Sequence, residues 1–293
     1  MGKISRLFTS ECIQPMVGCL AESKAMPHVS ESAASTGLEV NGLVALQSRV
    51  ATGKVPWIGP LFLVCGRSLM WLTLQALLAS IFLALHRPDP WRSAGQWWIV
   101  YCTLGDLGCL AGMKYFTSKE GIRLRDLIGP IRMRWGRDVF FGLGLLVLSF
   151  PLFIAGGSLA AWVSYGSMAK VPMELVWQRH TLPLWATVYS LTVWWIVNSA
   201  TEEMTYQGYV LPRLEARTGR TWIAVSVVGF WWALQHCMIP FIPDWRYLVY
   251  RFFMMIPVLV LMMFTYLRIR RLSPLILVHW PMDLAGAILT GIH

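Results

Sequence analysis

Seven long apolar stretches fill most of the chain between residues 57 and 292. They run from about 57 to 85, 96 to 116, 139 to 165, 182 to 200, 222 to 242, 247 to 267 and 272 to 292. A helix needs about 20 apolar residues to cross roughly 30 Å of hydrocarbon, and each stretch approaches or exceeds that length. The sequence therefore predicts an all-α polytopic transmembrane helix bundle of about seven spans, or eight if the first or third stretch holds two.

The composition agrees with a surface that faces lipid. Hydrophobic residues make up 56% of the chain and charged residues only 14%, whereas about 25% of the residues in soluble domains are charged. The lipid bilayer is therefore an expected partner. In a soluble protein the net charge of +10 would suggest nucleic acid, but here the basic residues lie in short loops. We expect no nucleic-acid partner.

Basic residues are unevenly divided between the two sides of the predicted bundle. With seven spans, eighteen of the 25 Lys and Arg residues fall on the side of the N-terminus, six fall on the other side, and Arg67 lies within the first span. Loops rich in Lys and Arg stay in the cytoplasm. We therefore expect a multi-pass integral membrane protein, in the plasma or inner membrane if the source is bacterial, with a cytoplasmic N-terminus.

The first 55 residues differ from the rest of the chain. They contain no long apolar stretch and no regular pattern. We predict that residues 1–55 form a loosely ordered cytoplasmic extension and that residues 56–293 form the transmembrane domain.

Ionisable side chains within or beside the predicted spans are the candidates for function, because a charge at bilayer depth is costly. They are Asp106, Glu202, Glu203, His236, His279 and Asp283. Structural explanations exist as well. Asp106 could simply bond to Arg67 or to a Ser or Thr on a neighbouring helix, and a lone histidine or a His–Asp pair could hold helices together.

The spacing of Glu202 and His236 predicts that the two side chains meet. They are about equally distant from the charged turn at 215–220, and such residues lie at the same height in an antiparallel helix pair. Glu202 and Glu203 are separated by about 100° around a helix. Only one of the two glutamates can therefore point squarely at a shared site.

His279 and Asp283 complete the predicted site. They are four residues apart and therefore share one face of a helix. Carboxylate and imidazole groups together can activate water, and Glu202, His236, His279 and Asp283 also match the ligand chemistry of Zn²⁺. The residues predict hydrolysis with water as the nucleophile, with either a zinc ion or no cofactor.

Three motifs occur in order along this part of the chain. They are Glu202-Glu203 with Gln207 four residues later, Trp232 four residues before His236, and His279 four residues before Asp283. Over about residues 182–292 they resemble the motifs of the CAAX prenyl protease and bacteriocin-processing family of intramembrane proteases, also called Abi proteins.

The resemblance implies an intramembrane endopeptidase with its protease-like core at 182–292. Its substrate would be a peptide or a membrane protein. Glu202 and His236 would activate water, and Glu203 would belong to the same catalytic set. His279 and Asp283 would stabilise the oxyanion or complete a metal site.

Two positions in the motifs depart from the family pattern, and a third, Asp283, is the less common of the two residues that the pattern allows. Gln207 stands where the family has Arg, so Glu203 should be harder to ionise unless another Arg reaches it. Trp232 replaces the usual Phe, a change that we expect to be benign. Asp283 stands where most members have Asn. An ionised Asp cannot donate a hydrogen bond but can bind a metal, which slightly favours a zinc-dependent hydrolysis over a metal-free one.

Other protein classes fit the sequence less well. The His-Glu-x-x-His of site-2 proteases and the Gly-x-Ser-Gly of rhomboids are absent, and Leu104-Gly105-Asp106 matches only half of the presenilin motif. Asp106 with Asp283 is the remaining aspartyl arrangement. The main alternative is a non-catalytic membrane scaffold or a proton-coupled transporter that uses the same buried polar residues.

Overall fold

Each of the seven apolar stretches contains a helix. The computed structural model describes residues 40–129, 135–173 and 182–291. The helices are α1 (Leu43–Ala51), α2 (Ile58–Ala84), α3 (Pro90–Gly95), α4 (Trp98–Lys119), α5 (Trp135–Tyr165), α6 (184–218), α7 (Thr221–Gln235), α8 (Trp245–Ile269) and α9 (Ser273–Gly291), with short 3-10 turns at Leu124–Leu127 and Met168–Lys170. The predicted all-α class is confirmed for this part of the chain.

Three of the described helices are long and apolar enough to cross a membrane, namely α2, α5 and α8. They have 27, 31 and 25 residues, which at a rise of about 1.5 Å per residue gives lengths of about 38 to 46 Å. Helix α7 has 15 residues, or about 22 Å, and falls short of roughly 30 Å of hydrocarbon. The arrangement of seven spans stays a prediction.

Helices α5 and α8 pack against each other through a close backbone contact. A Cβ atom at Gly156 would lie 2.5 Å from the backbone oxygen of Met254 and 3.0 Å from the ring of Pro257. Small residues let apolar helices approach this closely, and the gain is in van der Waals contact. The pair forms one wall of the cavity described in the next subsection.

Helix α6 is a continuous helical run that widens twice. Its α-helical parts are Leu184–Tyr189, Trp195–Glu203 and Leu211–Thr218, and they are joined by π-helical turns at Ser190–Trp194 and Met204–Val210. A π turn inserts residues into the helix and changes the direction of the side chains that follow, and such turns are frequent at functional sites. The second π turn begins directly after Glu203.

Buried side chains anchor this second π turn. Arg213 donates from Nη1 to the carbonyl oxygens of Tyr209 and Gly208, at 3.1 and 3.3 Å. It also pairs with Glu120 through two hydrogen bonds of 2.7 and 2.6 Å. Asn41 donates to the same Gly208 oxygen at 3.1 Å. The segment after Glu203 is thereby tied to residues that flank α1 and α4.

The predicted N-terminal extension is only partly described. Residues 1–39 lie outside the described residues. Residues 40–55 contain α1, in which Leu46 is fully buried. The loosely ordered cytoplasmic extension over residues 1–55 stays a prediction.

Candidate active site

A cavity of about 330 Å³ lies between α5, α6, α8 and α9, close to the end of α7. Most of its wall is apolar, with Leu146, Phe153, Trp194, Met254, Met282 and Leu289 among the lining residues. The predicted site residues Glu202, His236, His279 and Asp283 line the same cavity. An apolar cavity with a few convergent polar groups is the usual form of a ligand or active site.

Glu202 is buried between two positive or hydrogen-donating groups. The indole N–H of Trp232 donates to its Oε1, and Nη1 of Arg67 lies 3.4 Å from its Oε2. Trp232 also stacks on Tyr206, with ring centroids 5.4 Å apart. A Phe at position 232 has no N–H and could not donate this hydrogen bond to Glu202. The replacement that we expected to be benign therefore acts directly on the geometry of Glu202.

Glu203 is fully buried and does not line the cavity. Its Oε1 lies 2.8 Å from Nδ1 of His279, and its Oε2 accepts a hydrogen bond of 2.7 Å from Gln207. Among the ion pairs of the described residues, Glu203 pairs with His279 and with no arginine. Of the two glutamates, Glu202 lines the cavity and Glu203 does not.

Two residues that the sequence analysis did not single out hold Asp283. Its Oδ2 accepts hydrogen bonds from the side chains of Asn198 at 2.8 Å and Ser199 at 2.7 Å. Its Oδ1 lies 3.5 Å from Nε2 of His279, and the same nitrogen lies 3.9 Å from Oε1 of Glu202. The only sequence signal for Asn198 and Ser199 is that two polar residues interrupt an apolar stretch. They fix the carboxylate that faces His279.

His236 directly follows α7, and a hydrogen bond sets the tautomer of its ring. Its Nδ1 lies 2.8 Å from the backbone oxygen of Trp232. Because a carbonyl oxygen can only accept, Nδ1 carries the hydrogen and Nε2 is left as an acceptor. Arg251 donates to the backbone oxygens of His236 and Ile239, at 2.9 and 3.1 Å, which holds the turn after α7 in place.

Asp106 pairs with Arg67, as the structural explanation of this buried aspartate predicted. Arg67 donates from Nη2 to Oδ1 of Asp106 at 2.7 Å, and both side chains are fully buried. The same Nη2 also lies 2.7 Å from Oδ1 of Asn198. Asp106 does not line the cavity, whereas Asp283 does, so the aspartyl arrangement of these two residues finds no support.

The described residues do not fit a metal site. Within 40–129, 135–173 and 182–291, no group of three or more His, Cys, Asp or Glu side chains is placed to hold a metal ion. The guanidinium of Arg67 lies 3.4 Å from Glu202 and already supplies the positive charge there. A zinc ion held by Glu202, His236, His279 and Asp283 would be repelled by that fixed cation.

We expect the purified protein to carry well under one metal ion per chain by elemental analysis, and its activity to survive chelators. Asp283→Asn should retain activity within about 10-fold. Its amide oxygen can still accept from Asn198 and Ser199. Its NH₂ group would take the place of Oδ1, 3.5 Å from Nε2 of His279, so it loses an acceptor for that ring but can itself donate to the oxyanion. A stoichiometric metal ion that is lost together with activity in Asp283→Asn would contradict this reading.

Comparison with known proteins identifies the region that carries these residues. Residues 183–285 match the family model for type II CAAX prenyl endopeptidase, Rce1-like. No curated protein and no solved structure matches the chain. The match covers about a third of the chain and contains all five predicted catalytic residues, while Arg67 and Asp106 lie outside it. The resemblance indicated by the three motifs is thus confirmed over residues 183–285, a region similar to the Rce1-like type II CAAX prenyl endopeptidases.

Proposed function

We propose that this protein is an intramembrane endopeptidase of the CAAX protease type, which hydrolyses a peptide bond with water activated by Glu202 and His236. One observation carries the proposal. Glu202, His236, His279 and Asp283 line one largely apolar cavity, in a region similar to a family of endopeptidases.

Glu202 and His236 offer two acceptors to one water molecule. The contacts of Glu202 with Trp232 and Arg67 favour its ionised form, and Nε2 of His236 has a free lone pair. A water between them can donate one hydrogen to each. As its oxygen attacks the carbonyl carbon, a proton passes to one of these bases. Return of that proton to the departing nitrogen breaks the C–N bond and leaves a carboxylic acid and an amine, and the acid then passes its proton to the amine to give a carboxylate and an ammonium group.

His279 supports the negative charge that develops on the carbonyl oxygen. Glu203 holds the ring through Nδ1 at 2.8 Å, and Nε2 faces the side of the site where Glu202 and Asp283 lie. A doubly protonated ring between these carboxylates can donate from Nε2 to the oxyanion. This assigns Glu203 and Asp283 to orienting His279.

The substrate class follows from the cavity and the family description. An apolar cavity suits a peptide that carries a large apolar group or comes from a membrane protein. The matching family is described by its action on CAAX prenyl peptides. A peptide with a farnesylated cysteine followed by three residues is therefore the first probe, with the unprenylated peptide beside it.

Glu202→Gln should lower kcat for the cleaved probe by at least about 100-fold, because general-base catalysis contributes about 10² to 10⁴. The measurement is cleavage by protein reconstituted in proteoliposomes, with thermal unfolding to confirm the fold. Glu215→Gln is the matched control on the same helix, since Glu215 lies outside the cavity and pairs with Arg270. Full activity of Glu202→Gln would rule out this mechanism. Inability of the wild-type protein to cleave either peptide would favour the scaffold or transporter.

Trp232→Phe should lower kcat by about 10 to 100-fold. The change removes a hydrogen bond to a charged group, worth about 1.5–3 kcal/mol, and each 1.36 kcal/mol corresponds to about a factor of ten in rate. Trp231→Phe is the control in the same helix. Equal kcat values for the two variants would show that the contact between Trp232 and Glu202 has no role in the reaction.

We also propose that the N-terminus is cytoplasmic, from the eighteen-to-six division of basic residues. Arg125 and Arg87 are exposed residues in the loops at opposite ends of α4. In a cysteine-free background, Arg125→Cys should react with an impermeant maleimide only after the cells are opened. Arg87→Cys should react in intact cells. The reverse labelling would invert the orientation.

A further inference from the structure

We propose that Arg67 is a positioning residue for Glu202, and that it supplies from α2 a positive charge to a site whose position 207 carries none. The inference rests on the proposed function. Arg67 lies outside the region that matches the family. It does not line the cavity, so it acts on the reaction through Glu202.

The guanidinium of Arg67 is held on three sides. Its side chain is fully buried, and its Nη2 donates to Asp106 and to Asn198, both at 2.7 Å. Its central carbon lies 4.5 Å from the ring centre of Trp71. These contacts leave Nη1 beside Oε2 of Glu202, at 3.4 Å. The positive charge next to Glu202 is therefore fixed in position.

Glu202 depends on this charge more than on any other in the described part of the chain. Its ion-pair partners there are Arg67 and His279, and of these only Arg67 is charged at every working pH. A buried carboxylate that loses its cation takes up a proton rather than stay ionised. A protonated Glu202 could not accept a proton from water.

Gln207 does not fill the same role. It donates a neutral hydrogen bond to Glu203 and carries no charge. Arg67 therefore supplies the cation from a different helix, and to Glu202 rather than Glu203.

Asn198 extends the effect of Arg67 across the site. Its amide oxygen accepts from Arg67 at 2.7 Å, while its NH₂ group donates to Asp283 at 2.8 Å. Asp283 in turn faces Nε2 of His279 at 3.5 Å. Arg67, which lies outside the cavity, thus contacts the base Glu202 directly. Through Asn198 it also holds Asp283, the carboxylate that orients His279.

A purely structural role for Arg67 predicts something different. The pair of Arg67 with Asp106 joins α2 to α4, and its loss would destabilise the fold. The folded fraction would still turn over at the normal rate. Stability and kcat therefore separate the two roles.

The test compares Arg67→Met and Arg67→Lys with the wild-type protein in proteoliposomes, on whichever of the two peptides is cleaved. Per folded protein, Arg67→Met should lower kcat at least about 30-fold and change KM less than about 3-fold. Arg67→Lys should recover at least about 5-fold over Arg67→Met, because the ammonium restores the charge. Arg270→Met is the control, since Arg270 forms its ion pair with Glu215, away from the cavity.

The proposal is overturned if Arg67→Met lowers only the unfolding temperature while kcat stays within about 3-fold of wild type, or if Arg67→Lys is no better than Arg67→Met. Should Arg67→Met not fold, Arg67→Gln takes its place. Its kcat should also fall at least about 30-fold at constant KM, and a kcat within about 3-fold of wild type rejects the proposal. Glu202→Gln in the same assay distinguishes a failure of the proposed function from a failure of the inference about Arg67. Full activity of that variant defeats the proposed function, whereas an inactive Glu202→Gln beside a normal Arg67→Met defeats only the inference about Arg67.

Discussion

A carboxylate buried among apolar helices keeps its charge only beside a cation, and in this protein that cation is Arg67. Its contact with Glu202 sets the requirements for much of the surrounding structure. Helix α2 must pack against α6 for the two side chains to meet. Helix α4 must supply Asp106 to hold the guanidinium still, because an arginine that could swing away would leave Glu202 without its partner.

The site therefore joins two parts of the chain. The region similar to the endopeptidase family supplies Glu202, His236, His279 and Asp283. The helices before it supply the charge next to Glu202, and they also anchor the π turn after Glu203 through Glu120 and Asn41. In the proposed mechanism, the apolar wall of the cavity strengthens each of these interactions because it excludes water.

The placement of the helices and of most site residues could be predicted from the sequence. Apolar length located the helices, and equal distances from the turn at 215–220 brought Glu202 and His236 to one cavity. The four-residue spacing of His279 and Asp283 placed both on it as well. These predictions use contacts that repeat along one helix or mirror across one hairpin.

The contacts that could not be predicted are those between helices distant in sequence. Arg67 reaches Glu202 across α2 and α6, and which way each helix is rotated depends on packing over its whole length. The π turn at Met204–Val210 adds to the difficulty, because counting 3.6 residues per turn fails across it. The contact of Trp232 with Glu202 could not be predicted for a related reason. Both Phe and Trp place an aromatic ring at position 232, and only the three-dimensional structure shows that the indole N–H contacts Glu202.

The proposed reaction requires Glu202 and His236 to activate water for attack on a peptide bond in this cavity. A cryo-EM structure of the Glu202→Gln variant with an uncleaved farnesylated peptide tests it most directly. We expect the scissile carbonyl carbon within about 4 Å of a water held by residue 202 and Nε2 of His236, with the carbonyl oxygen directed at His279. A peptide whose scissile bond lies elsewhere in the bundle, or a metal ion between these side chains, would contradict it.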